Sequence, residues 1–150
     1  MYFEDVEVGA RFTAGPRTIA EQDLLQFAQI SGDHHPVHVD AAWAARSPFG
    51  QRIAHGPMGI ALAIGLFGQL QDFKDTAIAM TDVSDWQFRA PIHIGDTLTL
   101  EVTVTGKRIT RSGRGVIERG LRLLKADGSV AQEGRSGMVI ARRGEQGPAA

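Results

Sequence analysis

Hydrophobic and polar positions follow two different periods along this chain, and the change of period falls near its middle. In the first half, Leu24, Phe27 and Ala28, with Leu25 and Ile30 beside them, recur at helical spacing, and Gly32 supplies a stop. Ahead of them, Thr18-Ile19-Ala20-Glu21 has the capping-box spacing, in which a threonine hydroxyl and a later glutamate satisfy the free amides of a helix start. The pattern predicts an amphipathic helix that delivers the chain to Asp33. Ala10 to Ala14, before the Gly15-Pro16 break, reads as a short strand. From Asp33 to Arg52 the periodicity fails, Pro36 and Pro48 interrupt the backbone, and only Ala41 to Ala45 suits a helical turn or two. Pro57 to Phe67 then runs without a polar side chain. A helix that is apolar on every side has no face for water, so other structure should enclose it.

After a polar connection the period becomes two. Trp86, Phe88 and Ala90 alternate with Asp85, Gln87 and Arg89, and Leu98, Leu100, Val102 and Val104 alternate with threonines and Glu101. Ile117, Arg119, Leu121 and Leu123 share one face of a third strand, and Asp127-Gly128 is a hairpin signal leading to a fourth between Val130 and Ile140. Successive strands of this kind imply a curved antiparallel sheet, and wrapping it around the apolar helix gives an α+β domain. Such a sheet leaves an edge and a flank uncovered, which makes a homodimer or higher homo-oligomer the expected state. One domain is expected over residues 1–141, with a flexible tail over 142–150.

Composition narrows the function. The chain has 150 residues, 16 Lys+Arg against 17 Asp+Glu and a net charge of −1, so no overall field draws it to nucleic acid or an anionic membrane. Without cysteine it has no disulfide, thiolate metal site or cysteine nucleophile. The acidic start MYFEDVEVG is unlike a secretory signal, and the Pro57–Phe67 run is far shorter than the roughly 20 residues that span a bilayer, so a cytoplasmic protein is expected.

The chemistry concentrates in Ser31-Gly32-Asp33-His34-His35-Pro36-Val37-His38, where a carboxylate and three imidazoles lie close together, and in His55-Gly56-Pro57 at the start of the apolar helix. Phe27 to His38, followed by Ala44, resembles the hydratase 2 signature of the MaoC-like, (R)-specific enoyl-CoA hydratases, Ser-Gly-Asp-x-Asn-Pro-aliphatic-His. Phe49 to Gly56 is similar to that family's approach to its central helix, and Pro91 with Gly95-Asp96 to its later strand turn; the likeness runs from about Thr18 to Ile140. The resemblance implies a hot-dog fold, usually dimeric, acting on acyl thioesters of coenzyme A. It also implies that Asp33 and His38 hold and activate one water, that the water adds across a trans-2-enoyl thioester to give the (R)-3-hydroxyacyl product, and that the amide near Gly56 supports the thioester oxygen. Coenzyme A enters as part of the substrate, and no separate cofactor is implied.

The residues agree with that chemistry on their own terms. Asp33 and His38 stand on a proline-bent loop and can face one water, and the carboxylate is expected to raise the imidazole's pKa. The start of the apolar helix offers free amides and a positive dipole end to a developing enolate. Pro57 has no N–H, so the donor is Gly56 or a residue beyond Pro57. Two positions depart from the family pattern: His35 stands where it has Asn, and Ala61 where a serine is common. His35 and His55 join Gly56 as candidate substrate-binding residues, although His55 also reads as a structural hydrogen-bonder and His34 as a variable loop position. Zinc on His34, His35, His38 and His55 is conceivable, but their spacing matches no recognised metal motif, and no metal is expected. Arg108, Arg111 and Arg114 read as a solvated hairpin or as contacts to coenzyme A phosphates. A hot-dog thioesterase and a catalytically impaired acyl-CoA-binding subunit are the rival readings.

Overall fold

A computed structural model describes residues 1–144 of the chain. The long period-two stretches form three antiparallel strands, β4 (Thr97–Ile109), β5 (Gly115–Lys125) and β6 (Val130–Ile140). Their inward positions are the ones the alternation marks, with Leu98, Leu100, Val102, Val104, Ile117, Leu121 and Leu123 all buried. β1 (Arg11–Thr18) pairs with β4, while β6 carries both β2 (Ala77–Met80) and β3 (Ser84–Phe88) on its far side. Four helices precede β2: α1 (Glu21–Ser31), α2 (Pro36–Val39), α3 (Ala41–Ala45) and α4 (Gly56–Phe67). α4 packs against β1, β4 and β5, giving the α+β hot-dog arrangement of one sheet around one apolar helix.

Several expectations are corrected. α4 is not enclosed on every side: Met58, Gly59, Ala63, Leu66 and Phe67 are buried, but Pro57, Ala61 and Gly65 face outward from the chain. α1 starts two residues later than the capping-box spacing suggests, with Ala20 rather than Thr18 before its first residue. Thr18 ends β1, with its hydroxyl 2.9 Å from that of Thr97, and the Asp23 carboxylate accepts the Ala20 N–H at 2.8 Å instead. β1 also runs past the Gly15-Pro16 break, because Gly15, at φ 110°, lets the strand bulge between Ala14 and Arg17 and then resume pairing. β2 lies in a stretch that shows no alternation, and α2 lies in the loop whose periodicity fails.

Arg119 keeps the inward position that the alternation assigns it. It is fully buried, with its guanidinium 4.2 Å from the centre of the Phe67 ring and its Nη2 donating to Ser136 Oγ at 2.8 Å. Burial lowers its pKa to about 10, so it stays charged at neutral pH. Of the tail expected from residue 142 onward, Arg142 is tied to Glu4 and to the Gly113 carbonyl and Arg143 to Glu4 and Asp5; residues 145–150 lie outside the described residues.

Candidate active site

The loop between α1 and α4 is ordered by a sequence of local hydrogen bonds. Ser31 Oγ donates to the Phe27 carbonyl at 2.7 Å and accepts the Asp33 N–H at 3.2 Å, while Gly32 turns the chain at φ 76°. Asp33 Oδ1 accepts the His35 N–H at 3.0 Å. His35 caps α2, its Nδ1 accepting the Val37 N–H at 3.2 Å, and Pro36 occupies the first helical position. Asp40 caps α3 through the Trp43 N–H at 2.9 Å. The far end of the loop is fastened by Arg52 to Glu21 at 2.8 Å and by the Ala54 N–H to the Ile92 carbonyl at 2.7 Å. A segment without periodicity is therefore specified residue by residue.

These fastenings bring Asp33, His38 and His55 together. His38 Nδ1 lies 2.7 Å from the Ile53 carbonyl. A carbonyl can only accept, so Nδ1 carries the proton and the Nε2 lone pair is free. That lone pair faces Asp33 Oδ2 across 3.8 Å. By the same reasoning His55 Nε2, 2.8 Å from the Asp33 carbonyl, is a donor, and the buried His55 Nδ1 finds no hydrogen-bond partner among the described residues. The two imidazoles stack at 3.7 Å between ring centres. The Asp33 side chain is half exposed, at 53 %, whereas His38 and His55 are buried. One carboxylate thus meets solvent on one side and a neutral nitrogen base on the other.

Asp33 pulls the His38 pKa upward, as expected, but the net shift is downward. Burial pushes it below the ordinary imidazole value of 6.5 and the neighbouring His55 adds to this, outweighing the upward pulls of the Ile53 carbonyl and Asp33. The His35 N–H, followed by the nearby imidazoles, holds the Asp33 carboxyl below the ordinary carboxylate value. At neutral pH the pair is therefore Asp⁻ and neutral His. A water beside their line, at about 2.8 Å from each, can donate to both.

Gly56 opens α4 immediately after His55, and among the described residues no acceptor takes its N–H. This amide is one of the free donors of a helix start. His35 belongs to the loop through its cap, and its ring stands 6.2 Å from that of His38; His34 is exposed. Ala61 lies on the open face of α4 in a groove of about 330 Å³ bordered by Phe27, Ile30, Leu62 and Gly65. The groove reaches the site at Phe27, whose ring is 5.0 Å from that of His55. A second cavity, of about 270 Å³, borders Gly56 itself together with Phe49, Phe88, Ile92 and Gln132.

Asp33, His38 and His55 each offer a metal-ligating atom, all within 4.8 Å of one another, whereas His34 and His35 do not join them. The arginines near the β4–β5 turn are remote from this site. Gln132 pairs across β5 with Leu123, and Leu123 with Leu100, whereas Ile109 is nine residues further along β4, about 30 Å at strand rise. Arg108 is paired there with Glu118 at 3.1 Å. Sequence reasoning missed Trp86 and Gln132 as neighbours of the site. The only signal was a glutamine at an inward strand position.

Comparison with known proteins gives a consistent result. A family model described as MaoC like domain matches residues 5–124. A 3-hydroxybutyryl-CoA dehydratase of Methylorubrum extorquens is 39 % identical over 105 residues, covering 69 % of this chain and 64 % of its own length. An (R)-specific enoyl-CoA hydratase of Rhodospirillum rubrum is 35 % identical over 105 residues, covering 70 % of each. Protein MaoC of Klebsiella aerogenes is longer, and the match spans 32 % of it. The chain thus covers less than two thirds of the length of the Methylorubrum and Klebsiella relatives. Among solved structures, the unliganded R-hydratase of Pseudomonas aeruginosa superposes with a TM-score of 0.79 at 28 % identity, covering 99 % of this chain and 95 % of that one.

Proposed function

The chain belongs to the family of MaoC-like domains, and on that premise we propose that it hydrates trans-2-enoyl-CoA to (R)-3-hydroxyacyl-CoA, or catalyses the reverse dehydration. The observation that carries this reading is the pairing of a low-pKa carboxylate with a neutral imidazole whose free Nε2 faces it at 3.8 Å. Asp33 and His38 hold one water. His38 Nε2 takes a proton from it as the water oxygen bonds to C3 of the thioester, and the C2–C3 electron pair shifts toward the thioester oxygen. The Gly56 N–H and the positive end of α4 meet the charge that develops there. The imidazolium, stabilised by Asp33, then returns the proton to C2. No net charge is gained or lost, and a single water supplies both added groups. His55 holds the Asp33 backbone in place, and His35 shapes the turn between Asp33 and His38.

The test is the ultraviolet loss of the conjugated enoyl thioester across short, branched and long 2-enoyl-CoAs, with chiral analysis of the product and with Asp33→Ala and His38→Ala in parallel. An (R)-3-hydroxyacyl product that both variants abolish supports the reading. Release of free thiol with the double bond intact identifies a thioesterase instead, and tight thioester binding without turnover identifies a binding subunit. The reaction needs no metal. Dialysis against a chelator is expected to leave the rate unchanged; loss that zinc restores would place an ion among Asp33, His38 and His55.

The assembly that suits this reading is a homodimer in the cytoplasm. The β3 edge and the outward Pro57–Ala61–Gly65 face of α4 are the surfaces a second copy would cover. Sedimentation of a monomer at assay concentration counts against it. Among the described residues, no helix is long and apolar enough to cross a membrane.

A further inference from the structure

We infer that Gln132 is a positioning residue for the oxyanion donor, acting through the backbone of Gly56; the inference rests on the hydratase reading above. Gln132 lies on β6 and is 3 % exposed. A buried amide is costly unless it is bonded, and both ends of this one are. Its Oε1 accepts the Trp86 indole N–H at 2.9 Å, and its Nε2 donates to the Gly56 carbonyl at 3.1 Å. Trp86 comes from β3, at the edge of the sheet, and Gly56 opens α4. One side chain thus joins the last strand, the edge strand and the start of the central helix.

Two glycines permit the junction. A Cβ at Gly59 would fall 2.2 Å from Gln132 Oε1, and one at Gly56 would fall 3.0 Å from the Phe88 ring. The first turn of α4 is therefore seated directly on the Gln132 amide. The Gly56 carbonyl and N–H belong to one residue, and that residue has no Cβ to limit its φ and ψ. The cavity of about 270 Å³ beside it leaves the backbone room to turn. The carbonyl lies in the peptide plane shared with Pro57 and the N–H in the plane shared with His55, so a bond to the carbonyl anchors one side of the residue and limits how far its N–H can swing. A pre-aimed donor costs no reorganisation as the enolate forms, which is where such donors act most strongly.

Three proteins test this: wild type, Gln132→Leu and Gln132→Glu. Leucine keeps the approximate volume and removes both bonds. It should lower kcat by about tenfold to a hundredfold with KM within about twofold, less than the roughly 10²–10³ that removing an oxyanion donor itself costs. Glutamic acid can donate to the Gly56 carbonyl only when protonated. Its kcat relative to wild type should therefore recover toward low pH and fall as pH rises. Wild-type kcat in Gln132→Leu, or a Gln132→Glu ratio that is flat with pH, overturns the inference. Amide hydrogen exchange on the same proteins reads position without turnover. Met58 to Ile60 should exchange at least about tenfold faster in Gln132→Leu, with the last turn of α4 unchanged. If wild type hydrates no substrate, the hydratase reading fails and exchange alone decides. Unchanged first-turn exchange, or acceleration spread evenly along α4, overturns the positioning role.

Discussion

The sheet around α4 and the loop from Gly32 to His55 are built on opposite principles. In the sheet, Leu100, Leu121 and Leu123 are held by burial among other apolar side chains, and nothing about any one of them is chemically specific. In the loop, the side chains of Asp33, His35, Asp40 and His38 are each placed by a hydrogen bond of defined donor and acceptor. The sheet supplies stability through area, and the loop supplies geometry through polar groups that water could otherwise satisfy. The same number of atoms removed from each should therefore show up in different measurements.

The largest effect is expected in the loop, on rate. In Asp33→Asn the amide oxygen can still accept the His35 N–H, so the turn survives while the charge beside His38 is lost. Turnover of enoyl-CoA should fall by about 10²–10⁴, with the melting temperature little changed. A variant that retains its activity would remove Asp33 from the chemistry. The complementary effect is expected in the sheet, on stability. Leu121→Ala opens a cavity at a residue 1 % exposed and should cost about 2–5 kcal/mol in denaturant unfolding, with kcat per folded molecule close to wild type. If Leu121→Ala instead lowers kcat as strongly as Asp33→Asn, the two regions are not separable as argued.

The same contrast explains what could be read from the sequence. Burial repeats with the period of the backbone, so β4 and β5 were visible as alternation, and even Arg119 was assigned to the inward face where it lies. α4 was visible as an apolar run, but its open Pro57–Ala61–Gly65 face was not, because apolar composition does not say which side of a helix remains uncovered. The loop was legible in its motif and not in its form. Asp33 and His38 were found by residue type and spacing, yet α2 and the caps that place them depend on individual side-chain acceptors. The direction of the His38 shift was also beyond the sequence, since it depends on how far the ring is buried and on a histidine 17 residues away that stacks on it. Gln132 and Trp86 are far from the motif along the chain and meet it only through the sheet.

A pH profile sharpens the comparison at intermediate size. His38 must be neutral to accept a proton, and its folded pKa lies below 6.5, so kcat/KM should hold through pH 6.5 and fall at a midpoint below it. An acid limb above 6.5 would mean that Asp33 outweighs burial. The sign for stability follows from the same shift. The unfolded chain binds this proton near 6.5 and the folded chain only at lower pH, so between those values the unfolded state holds more protons and stability falls as pH drops. His38→Gln should flatten that part of the stability curve.

The smallest effect is expected from His35→Asn, which restores the residue type of the family pattern. In this chain His35 Nδ1 accepts the Val37 N–H at 3.2 Å, and an asparagine side-chain oxygen can accept the same bond from the same position. The ring's edge contact with Trp43, at 5.3 Å between centres, is the interaction that would go. If the cap is what position 35 contributes, His35→Asn should change kcat by less than about threefold and stability by a few tenths of a kcal/mol, whereas His35→Ala, which has no acceptor, should cost about 0.5–2 kcal/mol. A large gain in turnover on His35→Asn would show that the imidazole hinders the native site, and a large loss would show that it touches the substrate. Either result would move His35 from the group of residues that shape the loop to the group that acts in the reaction, and would leave Asp33, His38 and the Gly56 amide where they are.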